Sequence, residues 1–517
     1  MVEENPEEVS PPVSNMFRSL SIRNYRIWFV GALVSNIGAW MQATTQNWVV
    51  LTELTANNAA AVGVTMALQF GPQLVLVPFS GAVADRFERR KVLLVTQSLL
   101  MLLAAGLGAL LITGAAELWH LYAFALALGI VNAFDTTARQ AFVSDLVGTA
   151  QLSNAVALNS ASFNSARLVG PAVAGILIAI VGSGWVFLIN AVSFLGVISA
   201  LLLIRTARRA PSEEPKRESQ LRQLSAGLRY VRGRHDLVVV FAIVFLLGTF
   251  SMNFPVMSST MAVEFGRGAS DYGLLSSILA IGSLTGALLV ARRPAARMRV
   301  VIMAAGGIGV VSVLAAIMPT FWTFAVMLIF LGFAISTLLT TANGFVQTTT
   351  KPAVRGRVLA LYIAVLMGGT PLGAPLVGAA ADALGARSTL FISAAAAFTA
   401  FGIGITWLFI ERELRFHRSG GLRFAVTHAG RPGVDDDHSG QTETLTAPIT
   451  VLGRGEKVLT PAESAPIEGP AVDVATGTID TNGDPDADPG TDDPSDPDGP
   501  GDHGGEDWPR SIRRPRG

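Results

Sequence analysis

The chain has no cysteine among its 517 residues, which excludes disulfide scaffolds and thiolate metal sites. Charge is scarce too: 15% of the residues are Asp, Glu, Lys or Arg, 50% are apolar, and mean hydropathy is +0.48. A water-soluble domain carries about 25% charged residues, so most of this chain is built for lipid. Six histidines (His120, His235, His417, His428, His438, His503) offer no pair at metal-ligand spacing on one helix, and no metal is expected. A G-x-x-x-x-G-K-[ST] loop is missing, which excludes direct nucleotide drive. With 38 cations against 38 acids, no nucleic-acid partner is expected. No nucleophile, base and orienter can be assembled from the loops, so enzymatic activity has no support. The acidic, Pro-rich start MVEENPEEVSPPVSN lacks the basic opening of a secretory signal.

What is present is a series of long apolar runs. Twelve reach spanning length: roughly 27–51, 62–84, 92–113, 119–138, 155–181, 184–204, 237–258, 272–291, 299–318, 321–341, 357–380 and 388–410, each near the ~20 residues that cross a ~30 Å hydrocarbon core. Lys and Arg check that count, because they accumulate in cytoplasmic loops. They fall in every second loop: Arg86, Arg89, Arg90 and Lys91; Arg139; nine cations from Arg205 to Arg234; Arg292, Arg293, Arg297 and Arg299; Lys351, Arg355 and Arg357. The intervening loops hold only Arg267 and Arg387. A missed helix would invert the alternation from that point, so the pattern predicts twelve spans with both termini in the cytoplasm. Most tryptophans sit near span ends, where indole favours the headgroup zone; Trp40 is the exception, in mid-membrane.

The domain organisation follows. Residues 1–22 read as a cytoplasmic segment, 23–204 as a six-helix bundle and 205–236 as a charged central loop carrying Pro211, Pro215 and a short surface helix over 221–232. Residues 237–412 read as a second six-helix bundle. A shift of 203 residues aligns Phe142-Val143 with Phe345-Val346, Leu158 with Leu361, Gly170 with Gly373 and Gly175 with Gly378, an internal echo of two repeated halves. Residues 413–517 turn basic and then into a Pro, Gly, Asp and Thr mixture that cannot bury enough apolar surface to offset its ordering entropy, so a disordered cytoplasmic tail is expected. Its Asp-rich run lacks EF-hand spacing.

Between the second and third runs stands GAVADRFERRK, Gly81 to Lys91. Two acids and four cations directly between two spanning runs must lie in water at a membrane face. The pattern Gly81-x-x-x-Asp85-Arg86-x-x-Arg89-Arg90 resembles the loop between helices 2 and 3 of the major facilitator superfamily of secondary transporters. The resemblance implies an all-α integral membrane fold of twelve transmembrane helices in two pseudo-symmetric six-helix bundles. It also implies that Asp85, Arg86, Arg89 and Arg90 latch this end to neighbouring helices and loosen when the carrier changes face. Asp135 on the fourth span is the expected partner of Arg89, with Arg139 one turn on competing for it. Glu88 stands where the family has Gly, so charge pairing is expected to help hold the turn. The alternative is a solvated loop obeying the charge bias alone.

The fifth span reads NSASFNSARLVGPAVAG. Its Gly170-Pro171 followed by Gly175 resembles the Gly-Pro motif of superfamily exporters, with Ala166 and Ala174 where that motif commonly has Gly. Within this span Arg167 lies roughly 18 Å into a ~30 Å core. A cation there costs at least ~2.5–3.5 kcal/mol unless it faces water or a partner. Ser160, Asn164, Arg167 and Pro171 share a helical stripe that is expected to face a central cavity. The first span offers a matching stripe, Asn36, Trp40, Thr44 and Asn47, with Gln42 and Gln46 beside it, and the second offers Gln69 and Gln73. In one reading Arg167 lies in the substrate path and favours an anionic or acceptor-rich substrate. In the other it is structural, satisfied by carbonyls and amides of spans 1 and 4. Asn253 beside Pro255, Thr340 with Asn343, and Gly368-Gly369-Thr370-Pro371 are candidates for the opposite wall.

Four phrases narrow the resemblance: NAFDTTARQAFVSDLV, SARLVGPAVAG, GLRYVRGRHDL and RGRVLALY. Together they look like the bacterial exporters called transmembrane secretion effectors, similar to enterobactin exporters, over about residues 15 to 415. The resemblance implies export of small drug- or siderophore-like molecules from the cell by a monomer in the membrane, exchanged against protons and needing no cofactor. No carboxylate deep in a span stands out as the proton carrier; Asp135, read as near a helix end, comes closest. An importer of the same fold and a non-transporting scaffold acting through its tail remain as alternatives.

Overall fold

The computed structural model describes residues 17–204, 220–293, 295–411, 414–419 and 423–428. The expected N-terminal segment up to 16, the central-loop residues 205–219 and the tail beyond 428 lie outside the described residues. The first half comprises α1 (Arg23–Trp48), α2 (Ala59–Arg86), α3 (Arg89–Ile112), α4 (Leu118–Leu146), α5 (Thr149–Val181) and α6 (Ser183–Leu203). The surface helix expected in the central loop is α7 (Gln220–Arg232). The second half comprises α8 (His235–Phe250), α9 (Phe254–Glu264), α10 (Ala269–Ala291), α11 (Met298–Ile317), α12 (Phe321–Thr349), α13 (Arg355–Leu384) and α14 (Ser388–Glu411).

Among the described residues, eleven helical spans are long and apolar enough to cross a membrane, α8 and α9 counting as one. The twelfth is α1. It has the length, 26 residues, but Ser35, Asn36, Gln42, Thr44, Thr45, Gln46 and Asn47 lower its apolarity. These groups are tolerable at membrane depth because most are buried against protein. The chain is therefore an all-α membrane protein of twelve transmembrane helices, and the two halves repeat one pairing scheme. In the first, α1 packs on α5 and α6, α2 on α4, and α3 on α4 and α6; in the second, α8 packs on α13 and α14, α10 on α12, and α11 on α12 and α14.

The 203-residue echo has a physical basis in backbone contacts. Gly129 lets α4 approach the Gln69 carbonyl of α2, where a Cβ would lie 2.3 Å from that oxygen; Gly332 does the same for α12 against Leu279 of α10, at 2.2 Å. Gly182 and Gly385 make the same turn into the last helix of each half, with φ of +87° and +88°, a conformation that suits only glycine. Gly170 and Gly373 each seat a helix against a partner in its own half, Trp40 and Thr249 respectively. Gly175 and Gly378 face across the halves, towards Ser270 and Ala59.

Three expected boundaries move. The fourth span was expected to end near 138; α4 runs on to Leu146, with Arg139 and Ser144 bonded along the helix to Asp135 and the Ala141 carbonyl and Asp145 paired with Arg89 of α3. The seventh span is broken at Ser251–Asn253, because Pro255, at the start of α9, has no N–H to continue the ladder. The segment expected to be tail from 413 opens with an antiparallel hairpin, β1 (Leu414–Ser419) on β2 (Arg423–His428), with Leu414 opposite His428 and Ser419 opposite Arg423.

The contacts joining the halves cluster at the end away from the basic loops. There the Asp382 carboxylate at the end of α13 accepts from the first two amides of α2, Ala59 N at 2.7 Å and Ala60 N at 2.9 Å. Trp48 stacks on Tyr272 at 5.7 Å, and Ser270 Oγ donates to the Gly175 carbonyl at 3.1 Å. At the basic end each half is tied to itself. Tyr25 Oη donates to the Ala155 carbonyl, and Arg234 forks onto Asp236 while donating to the Thr349 carbonyl. The Asp236 hydrogen bond raises the Arg234 guanidinium further above its ordinary range.

Candidate transport pathway

The course of α5 decides where the halves part. Its stripe Ser160, Asn164, Arg167, Pro171 repeats every three to four residues, so all four lie on one helix face. Pro171 is buried, and its carbonyl sits 2.2 Å from where a Gly273 Cβ would be, so α10 seals the face there. One turn lower the seal ends: Ser277 Oγ donates to the Leu168 carbonyl at 2.6 Å. Below that level Asn164 and Ser160 are exposed, and Arg167 is half-buried at the junction.

Arg167 is held by an aromatic ring rather than an acid. Its guanidinium carbon lies 5.8 Å from the Trp40 ring centroid, and Trp40 meets Phe163 edge-on at 5.7 Å. Gly170 makes this possible, because a Cβ there would come within 2.6 Å of Trp40 Cβ. Trp40, an outlier from the interface belt in the sequence, is thus explained by the cation it covers. Among the described residues the guanidinium has no hydrogen-bond or carboxylate partner. Pro171 adds a second unpaired group: having no N–H, it leaves the Arg167 carbonyl without its i+4 donor. Among the described residues no carbonyl or amide of α1 or α4 bonds to the guanidinium.

The other expected pathway residues divide. Asn36 donates to Ser162 Oγ at 3.3 Å and is half-buried beside the α5 stripe. Gln46 and Gln69 approach at 3.5 Å, tying α1 to α2. Gln42 departs from expectation: it is 5% exposed and accepts from Asn190 Nδ2 of α6 at 2.5 Å, so its amide is committed inside the first half. Asn253 departs too, being fully buried at the break between α8 and α9, where its Nδ2 donates to the Thr249 carbonyl. Gly369 and Gly373 pack on the α8 backbone at that level, while Asn343 pairs with Gln347 near the basic end of α12.

The residues expected to form a latch stand at the basic end, in a different pairing from the expected one. Arg89 donates to Asp145 Oδ1 at 2.7 Å and to the Ala141 carbonyl at 3.1 Å, not to Asp135. The reason is length: because α4 continues to Leu146, Asp145 arrives level with the start of α3. Arg90 caps α6 by donating to the Leu201 and Leu202 carbonyls. Glu88 pairs with Lys91 at 3.1 Å, the charge pairing expected of the turn. Gly81 lies in α2 with open space around it, and Asp85 and Arg86 are exposed.

Asp135 lies deeper than the sequence suggested, 11 residues before the end of α4, about 16 Å along the helix. It is 3% exposed and accepts from Thr96 Oγ1 at 2.7 Å, Gln97 Nε2 at 2.6 Å and Arg139 Nε and Nη2 at 3.1 and 3.0 Å. Arg139 also stands 5.6 Å from the Trp28 ring, with its Nη1 buried and unpartnered. Sequence reasoning passed over Thr96 and Gln97, although two adjacent polar residues in an otherwise apolar third span were the available signal.

The comparisons agree with this architecture. Residues 14–414 match the transmembrane secretion effector family. The chain belongs to this family. Curated relatives include a staphyloferrin A transporter of Staphylococcus aureus, 25% identical over 75% of this chain and 97% of its own length. Another is the multidrug efflux pump Tap of Mycolicibacterium fortuitum, 27% identical over 74% and 95%. The enterobactin exporter EntS of Escherichia coli is 28% identical over 71% and 87%. Among solved structures, a bacterial homologue of the human lysosomal transporter Spinster aligns over 74% of this chain and 96% of its own, with a TM-score of 0.58 at 15% identity; the likeness establishes the fold. This transmembrane secretion effector is a membrane transporter of the major facilitator fold and not an enzyme.

Proposed function

We propose that this transmembrane secretion effector exports small anionic or acceptor-rich molecules, of the drug or siderophore kind, across the cell membrane by alternating access. The observation that carries the reading is a guanidinium with no acid partner among the described residues, beside the α5–α10 contact, from which we infer a cleft between the halves towards the basic end. Arg167 stands where the halves part, with Trp40 over it and the polar face of α5 leading to it. A cation in that place costs several kcal/mol unless water or a ligand satisfies it, and a ligand with carboxylate or other acceptor oxygens does so best. Relatives that carry siderophores and drugs favour the same class.

On the positive-inside bias we take the basic end as cytoplasmic, so that the cleft opens inward and the chain takes up its load from inside. Gly170, Pro171 and Gly175 let α5 bear on α1 with one side and on α10 with the next, and the halves rock about this seam. Parting at the Asp382–α2 contact opens the outer side; Arg89 and Asp145 hold the basic end of the first half rigid as it moves. Protons return in exchange, and we assign their passage to Asp135, the buried carboxylate of α4 that accepts from Thr96, Gln97 and Arg139.

The test is transport in everted vesicles with an imposed proton gradient, using siderophore and drug panels chosen by comparing secreted metabolites with and without the gene. Uptake into everted vesicles driven by an acidic interior is expected, and Arg167→Gln abolishes it with folding intact. Full transport by Arg167→Gln of every substrate overturns the role of Arg167, and uptake only in right-side-out vesicles reverses the direction.

A further inference from the structure

The molecule carries a second groove, on the outside of the second half. It has a volume of about 430 Å³ and runs between α11 and α12, with Arg293 and Arg299 at its basic end and Gly307, Val311, Phe330 and Phe333 among its lining. A Cβ at Gly307 would meet nothing within 4 Å, so the trough is open there. From Arg299 to Val311 is twelve residues, about 18 Å along the helix, slightly more than half of a ~30 Å hydrocarbon core. The groove thus descends one leaflet from a cationic mouth along an apolar floor. Its volume holds roughly fourteen methylene-sized groups at the ~30 Å³ a water molecule occupies.

The 203-residue repeat explains why the mouth lacks a protein partner. Arg89 and Arg90 of the first half correspond to Arg292 and Arg293 of the second. In the first half these cations are satisfied by Asp145 and by the carbonyls ending α6. The second copy, Gly286 to Arg293, contains no acid. Among the described residues neither Arg293 nor Arg299 has a hydrogen-bond or carboxylate partner. We infer that an anionic phospholipid occupies this groove, its phosphate between Arg293 and Arg299 and one acyl chain along Gly307 and Val311. The occupant is a lipid rather than a free anion, because the greater part of the groove is apolar and opens sideways into the bilayer.

The test is lipid retention by the full-length protein in detergent, read by native mass spectrometry with added phosphatidylglycerol or phosphatidylcholine. Phosphatidylglycerol is expected to be retained preferentially. The double variant Arg293→Gln/Arg299→Gln lowers its retention roughly thirtyfold, two cations at about 1 kcal/mol each. Gly307→Leu fills the trough and lowers retention of either lipid, while Arg292→Gln, beside the groove but not lining it, has no effect. Inorganic phosphate does not compete. Equal retention of the two lipids by the native protein overturns the inference, as does undiminished phosphatidylglycerol binding by the double variant or displacement by inorganic phosphate. Unchanged thermal midpoints in the variants exclude misfolding as the cause of loss.

Discussion

In the first half the helices bury Asp135 with Arg139 and Gln42 with Asn190, and hold Arg167 under Trp40. Among the described residues of the second half the same helix pairing encloses hydroxyls and the single amide Asn253, and the charged side chains fall in the first or last turns of helices or between them. Duplicated architecture therefore does not carry duplicated chemistry. The glycines that set helix approach recur at the 203-residue offset, because backbone geometry is common to both halves. The ionisable groups within the spans, Asp135, Arg139 and Arg167, do not recur, because each costs energy in lipid and is tolerable only where it is paired or used. Among the described residues the first half thus holds the buried ion pair and the ring-covered cation, and the second half chiefly apolar and hydroxyl groups.

Substitutions that break this contrast are expected to scale with what each half buries. The largest effect belongs to Asp135→Ala, which strands the Arg139 guanidinium at 16% side-chain exposure and should cost about 3–5 kcal/mol. Thermal unfolding in detergent measures it, and Asp135→Asn, which keeps an acceptor for Thr96 and Gln97, should cost less. Next comes Gln42→Leu: Asn190 Nδ2 loses its acceptor inside the first half, a penalty of about 1–3 kcal/mol by the same assay. Smallest is a substitution in the second half, Thr341→Val. The Thr341 hydroxyl is buried without a partner, so removing it should be neutral or stabilise by up to about 1 kcal/mol. A large loss from Thr341→Val would show that the second half also depends on buried polarity.

The sequence read the fold well and the pairings less well, for one physical reason. Span count and sidedness follow from averages over many residues, hydropathy and cation placement, which neighbouring contacts do not alter. Partner choice depends on where a helix stops. Polar Arg139 to Asp145 looked like loop, so Asp135 was placed at a helix end and matched to Arg89; once α4 continues to Leu146, Asp145 takes Arg89 and Asp135 keeps Arg139. The stripe of α5 was legible because it obeys helical periodicity, and Arg167 stood out by its cost. Gln42 and Asn253 were misjudged because an amide in a span looks the same whether it faces a cleft or a neighbouring helix. Only Asn190 and Thr249, remote in sequence or across a helix break, settle that question.

The central claim is that water reaches Arg167 along α5 from the basic end, and the absence of native cysteine makes it directly measurable. Single substitutions Ser160→Cys and Asn164→Cys introduce the only thiol in the chain, as do Ala174→Cys on the sealed stretch and Val192→Cys on the outward face of α6. Reaction with a charged, membrane-impermeant thiol reagent in everted vesicles should be fast at 160 and 164, slow at 174 and 192, and suppressed at 164 by transported substrate. Labelling at 164 no faster than at 192 would place that face of α5 against lipid and contradict the account.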